Sequence, residues 1–178
     1  HNIVRALNQK TGSPFKDKIK ILGTANDKEK ETITQATFSE SLMKLYSKDF
    51  MLDRDIYIRG KKPDKFSGQD LLIRPLRNLF IDEEDSTIAK IIWEYYKAVE
   101  LKWPKAWGPV EQEMILNKST GFLALTNLFK DIYVHVNKIG EVVDHQTYLK
   151  YFDKSSLKES YFTRSNFLRG SGGQSKLY

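Results

Sequence analysis

The chain contains no cysteine. Disulfides and thiolate metal sites are therefore excluded, and the cytoplasm is the expected compartment. Histidine is scarce too: His1, His135 and His145 lie far apart. His135 has Asp131 one turn before it, and His145 follows Asp144. Neither pair amounts to a clustered ligand set, so the sequence predicts neither a metal site nor a Ser-His-Asp triad. No apolar run approaches the ~20 residues that cross a bilayer. His1-Asn2-Ile3-Val4 lacks the basic-then-apolar design of a signal peptide. An initiator Met is missing as well, and HNIVRALN reads as the middle of a helix, which suggests a piece of a longer protein. No internal repeat and no long heptad run is present.

What is present supports a single domain with a real core. The 178 residues are 40% hydrophobic and 12% aromatic, enough for one unit of ordinary size. Twenty-nine basic against 23 acidic residues leave a net charge of +6. That excess modestly favours nucleic acid or another polyanion as partner.

Periodicity predicts a mainly α, compact helical domain over residues 1–168, followed by a flexible Gly/Ser tail, 169–178. Ile3, Val4 and Leu7 share a face of an opening helix that Gly12 and Pro14 stop. Lys18 to Leu22 alternates as a short strand. After the polar loop Gly23 to Glu31, Glu31-Thr32-Ile33 is expected to return beside it, giving at most one small β-hairpin. Thr34 reads as the N-cap of a helix over Gln35 to Lys48, with Phe38, Leu42 and Leu45 or Tyr46 inward. Asp53 to Gln69 reads as irregular. A helix over Gln69 to Phe80 should kink or split at Arg74, because Pro75 lies inside it. Asp82 to Asp85 then place carboxylates at a helix start, where the dipole favours them. Ile88, Ile92, Tyr95, Val99 and Trp103 continue that helix to Pro104. Trp107 is expected at a core edge. Phe122, Leu125, Phe129, Ile132, Val136 and Ile139 mark another long helix, with Gly140 as its C-terminal cap. Shorter helices are expected over Asp144 to Phe152 and Ser156 to Leu168.

Three features invite a chemical reading. Lys118-Ser119-Thr120-Gly121 has the residue types of a phosphate cradle. A P-loop also needs an upstream glycine, and Glu113 to Asn117 supply none, so the Walker reading fails. Free N–H groups at this helix start, with Lys118, remain a candidate anion site. The simpler reading makes Ser119 or Thr120 a cap and Gly121 a point of close packing. Secondly, Thr34-Gln35-Ala36-Thr37 has the character of a recognition helix, but the preceding helix of a helix-turn-helix is missing. Thirdly, Arg59, Lys61, Lys62 and Lys65, and Arg164 with Arg169 and Lys176, lie among Tyr57, Phe66, Tyr161, Phe162 and Phe167. Cations interleaved with aromatics suit phosphate contacts and base stacking. Arg59, Lys61, Lys62, Lys65, Arg164 and Arg169 are therefore the candidate nucleic-acid-binding residues, and solvated loops have the same look. No residue is nominated as catalytic, and no cofactor is expected.

Two blocks carry a family resemblance. The first is Ala6-Leu7-Asn8, Ser13-Pro14-Phe15, Ile19 to Gly23 and Ile33 to Phe38. The second is Tyr95 to Ala98, Trp103 to Trp107 and Ile115 to Phe122. In this order and spacing, over residues 1–140, the chain resembles the C-terminal half of DGQHR-domain proteins, a bacterial family that includes DndB-type regulators of DNA phosphorothioation. The resemblance implies a prokaryotic, cytoplasmic protein tied to DNA modification, its regulation or anti-phage defence. It also implies an N-terminal DGQHR domain as partner within the same protein. The Asp-Gly-Gln-His-Arg motif itself is absent here, and no catalytic residue of the family maps onto these positions. A non-catalytic DNA-binding or regulatory region is the first expectation, and an interaction or oligomerisation scaffold the alternative. A third reading is an enzyme of nucleotide or DNA chemistry whose site an N-terminal domain completes, with Lys118 and Thr120 as this chain's contribution.

Overall fold

The computed structural model describes residues 2–20, 32–108 and 113–167. The expected loop Gly23 to Glu31, the residues Ile21 and Leu22, and the tail with Arg169 and Lys176 lie outside them. The described chain is mainly helical, as the periodicity predicts.

α1 (Asn2–Gln9) buries Val4 and Leu7. Beyond it, Gly12 adopts φ +79°, a left-handed conformation that an L side chain rarely takes. Asn8 then works as a backbone clasp: its Nδ2 donates to Ile19 O at 3.0 Å and its Oδ1 accepts from Ile19 N at 2.9 Å. This positions β1 (Ile19–Lys20) beside β2 (Ile33–Thr34). The pair is parallel, Ile19 opposite Ile33, so the expected hairpin is corrected. Two-residue strands carry no signal of direction, and a parallel pair needs a long crossover, which the separation of β1 from β2 provides.

Thr34 caps α2 (Gln35–Met43) as expected, its Oγ1 accepting from Thr37 N at 3.1 Å. α2 stops before Lys48, and α3 (Phe50–Ile58) follows where the sequence reads as partly irregular. Asp49 caps it by accepting from Leu52 N at 3.0 Å. α4 (Gly68–Ile73) and α5 (Arg77–Ile81) are divided at Pro75, because a proline ring excludes the helical geometry of the residue before it.

α6 (Asp85–Lys102) is the central helix, burying Ile88, Ile91, Ile92, Tyr95, Tyr96 and Val99. Pro104 opens the short α7 (Pro104–Trp107) at its first position, where a missing N–H costs nothing. α8 (Ser119–His135) and α9 (His145–Phe152) complete the helical set. The tyrosines of α6 tie it to α8: Tyr95 Oη donates to Leu125 O at 2.8 Å, and Tyr96 Oη lies 2.7 Å from Thr126 Oγ1. Trp107 is fully buried, not at a core edge. Its ring sits 4.9 Å from Tyr96 and 5.6 Å from Phe15, and its Nε1 donates to Pro14 O at 2.8 Å.

Two further expectations are corrected. The left-handed residue ending α8 is Asn137, at φ 57°, three positions before Gly140. Asparagine tolerates that conformation. Between Ser156 and Phe167 only a 3₁₀ turn forms, Glu159–Tyr161. Phe162 and Phe167 are both buried, and their five-residue spacing does not keep two side chains on one helical face.

Candidate functional site

Lys118 occupies the N-cap position of α8 in extended conformation, and its own side chain makes no capping hydrogen bond to the helix. The expected Ser119 or Thr120 cap is corrected: both residues already lie inside the first turn, past the position from which a hydroxyl can cap. First-turn N–H groups have no partner within a helix, and the dipole makes this end attractive to an anion.

Gly121 explains how the helix starts here. A Cβ on it would sit 2.3 Å from Leu116 O, 2.5 Å from Leu116 Cα and 2.6 Å from Ile115 O. The close-packing role expected for this glycine is thus present. The preceding turn is anchored from within. Asn117 is fully buried, and its Nδ2 donates to Gly108 O at 3.0 Å. Thr32 Oγ1 donates to the carbonyl of Asn117.

Arg164 reaches the same place from the other end of the described chain. An antiparallel bridge joins Met114 to Thr163, Ile115 N donates to Phe162 O at 3.0 Å, and Arg164 N donates to Glu113 O at 2.9 Å. The result is a cavity of about 330 Å³ lined by Lys118, Ser119, Thr120 and Arg164, with Thr32 and the apolar Ile115 and Phe167. Two groups that the sequence nominated separately, the 118–121 turn and Arg164, therefore converge. Two cations, two hydroxyls and a helix N-terminus around one cavity suit a phosphate or another compact anion.

The other nominated cations behave differently. Arg59, Lys61, Lys62 and Lys65 follow α3 and are exposed. Lys62 Nζ lies 2.8 Å from Glu83 Oε1, and Lys65 Nζ lies 2.7 Å from Asp82 Oδ1. The acidic run read as a helix start thus also offsets this loop, and only Asp85 stands in the first turn of α6. The loop is not a continuous positive patch, and it does not line the cavity with Arg164. Arg169 lies outside the described residues.

The sequence reading also missed a cluster. His145 has a close carboxylate after all: Glu94 Oε2, 51 positions earlier, is 2.7 Å from its Nδ1 and 3.0 Å from its N. A separate groove of about 540 Å³ runs between α1 and α6 beside Glu94, with Lys10 and Lys90 on its walls. The Lys10 ammonium lies 5.4 Å from the ring centroid of Trp93 there. Among the described residues, no helix is long and apolar enough to cross a membrane.

No family model matches the chain, and no curated protein or solved structure matches it either.

Proposed function

We propose that the chain is a non-catalytic helical module that holds a backbone phosphate of DNA in the cavity at the start of α8. The convergence of Lys118 and Arg164 with Ser119 and Thr120 around one cavity at a helix N-terminus carries this reading. Ser119 and Thr120 add hydroxyl donors, and first-turn N–H groups add backbone donors. Such contacts position a protein on DNA without reading its sequence. The resemblance to DGQHR-domain proteins supports DNA as the polyanion, and a role beside a DGQHR domain in DNA modification or its regulation. The test is a fluorescence-anisotropy titration of a short duplex at low salt. Lys118→Ala/Arg164→Ala should weaken binding of unrelated duplexes by a similar factor. Unchanged affinity in that double variant, in a folded protein, sinks the reading.

A second reading, a self-associating scaffold, rests on α3. Its one buried residue is Asp53, whereas Phe50, Met51, Leu52 and Ile58 are exposed, Ile58 at 74%. Met51, Arg54, Asp55 and Ile58 follow one another at helical spacing along the outer side. An antiparallel pairing with a second copy about a two-fold axis would face Met51 with Ile58 and Arg54 with Asp55, a self-complementary arrangement. Sedimentation velocity over a concentration series should then show a dimer that Ile58→Glu abolishes. A native chain monomeric throughout the series rejects this reading.

A further inference from the structure

Among the described residues, α6 and α9 pack more extensively than any other pair of elements, and a polar cluster lies on their seam. Glu94 comes from α6, and Asp144 and His145 come from the start of α9. His145 Nδ1 is 2.7 Å from Glu94 Oε2 and 3.7 Å from Asp144 Oδ2, and all three donor atoms lie within 4.8 Å of one another.

Helix capping accounts for part of this arrangement. Asp144 Oδ1 accepts from Gln146 N at 2.8 Å, and Glu94 Oε2 accepts from His145 N. Two observations remain. Among the described residues, neither carboxylate has a lysine or arginine ion-pair partner, so two negative charges meet one imidazole. Tyr148, one turn along α9, is fully buried, and its hydroxyl has no hydrogen-bond partner among the described residues. Burial, with Tyr133 and Glu94 adding to it, pushes that hydroxyl's pKa up, so the group stays a neutral, unsatisfied donor. Buried hydroxyls are normally paired with protein or water.

We propose that Glu94, Asp144 and His145 bind one divalent transition ion of the zinc or manganese class. Two carboxylates balance the ion's charge, and a mixed imidazole and carboxylate set suits that class. Donors about 2.0–2.2 Å from a zinc ion stand roughly 3–4 Å apart, so His145 Nδ1 and Glu94 Oε2, hydrogen-bonded at 2.7 Å, must part slightly to admit the ion. Asp144 keeps its Oδ1 in the cap of α9, and its Oδ2, on a side chain 64% exposed, is the oxygen that faces His145. In the bound state Nδ1 is the ligand atom of a neutral imidazole whose proton is on Nε2. The remaining coordination positions take water. The ion staples α6 to α9.

The test is calorimetric titration of the metal-free full chain with Zn(II), followed in parallel by thermal unfolding. One equivalent should bind and raise Tm by mass action. His145→Ala should weaken binding by at least about tenfold, the scale of losses seen even for residues outside the ligand shell. Asp144→Asn retains an N-cap residue, so it stays folded, and it should weaken binding and shrink the Tm rise. His135→Ala should bind as the native chain does. No saturable binding to the native chain overturns the proposal. So does native-like binding by His145→Ala and Asp144→Asn, or a loss in His135→Ala as large as theirs.

Discussion

Asp53→Ala is expected to lower stability by about 3–5 kcal/mol, the cost of breaking a buried ion pair from one side. Asp53 and Arg77 are almost completely buried, and Arg77 Nη2 donates to Asp53 Oδ1 at 3.0 Å. Ser47 Oγ donates to the same carboxylate at 2.6 Å. Arg77 also reaches the carbonyls of Asp64 at 2.9 Å and Tyr46 at 3.2 Å, and lies 4.4 Å from the ring centroid of Phe66. Removing the carboxylate leaves this guanidinium buried without its counter-charge. Urea unfolding should show the reduced stability as a lower midpoint at unchanged slope.

The same pair fixes a pH dependence. Burial pushes the Asp53 carboxyl up, but hydrogen bonds from Arg77 and Ser47, with the Arg77 charge, outweigh it and hold the pKa below its ordinary value. A carboxyl with a lowered folded pKa binds its proton less readily in the folded than in the unfolded chain. Its stabilisation is full above the unfolded value of about 3.9 and is lost as pH falls through the lower folded value. Asp53→Ala should therefore show a shallower loss of stability below about pH 4 than the native chain.

Gly121→Ala is the second large effect, expected at about 3 kcal/mol, the upper end of ordinary overpacking costs. All three atoms that the new methyl would meet belong to the backbone of Ile115 and Leu116, so no side chain can turn aside to relieve it. Relief requires the 115–118 turn to move away from α8, and that turn presents Lys118. Stability and phosphate binding should fall together in this variant. Thermal unfolding beside an anisotropy titration reads both. A stable variant with native affinity would show that the cavity does not depend on this close approach.

These two sites also mark the limits of what the sequence revealed. α6 and α8 were legible because each carries an apolar stripe over several turns, and Pro75 announced the division between α4 and α5. α3 was missed because its buried residue is Asp53 and its apolar residues face outward, the reverse of the pattern that periodicity detects. The residue types of the 118–121 turn were legible, and so was the reason for Gly121. The approach of Arg164 was not, since it depends on the Met114–Thr163 bridge, a pairing with no local signal. The pairing of Glu94 with His145 was hidden for the same reason. The ion pairs of Lys62 with Glu83 and Lys65 with Asp82 were not legible either, since each joins residues 17 or more positions apart.

The most direct test of phosphate binding at the start of α8 is the salt dependence of duplex DNA affinity, native chain against Lys118→Ala/Arg164→Ala. The slope of log K against log salt shrinks by about 1 for every phosphate that the protein no longer neutralises. The account predicts a clear native slope that falls by about 1 in the double variant, since both cations serve one phosphate. A Lys61→Ala/Lys62→Ala variant should fall by less. An unchanged slope in Lys118→Ala/Arg164→Ala, with the whole reduction appearing in Lys61→Ala/Lys62→Ala, would contradict it.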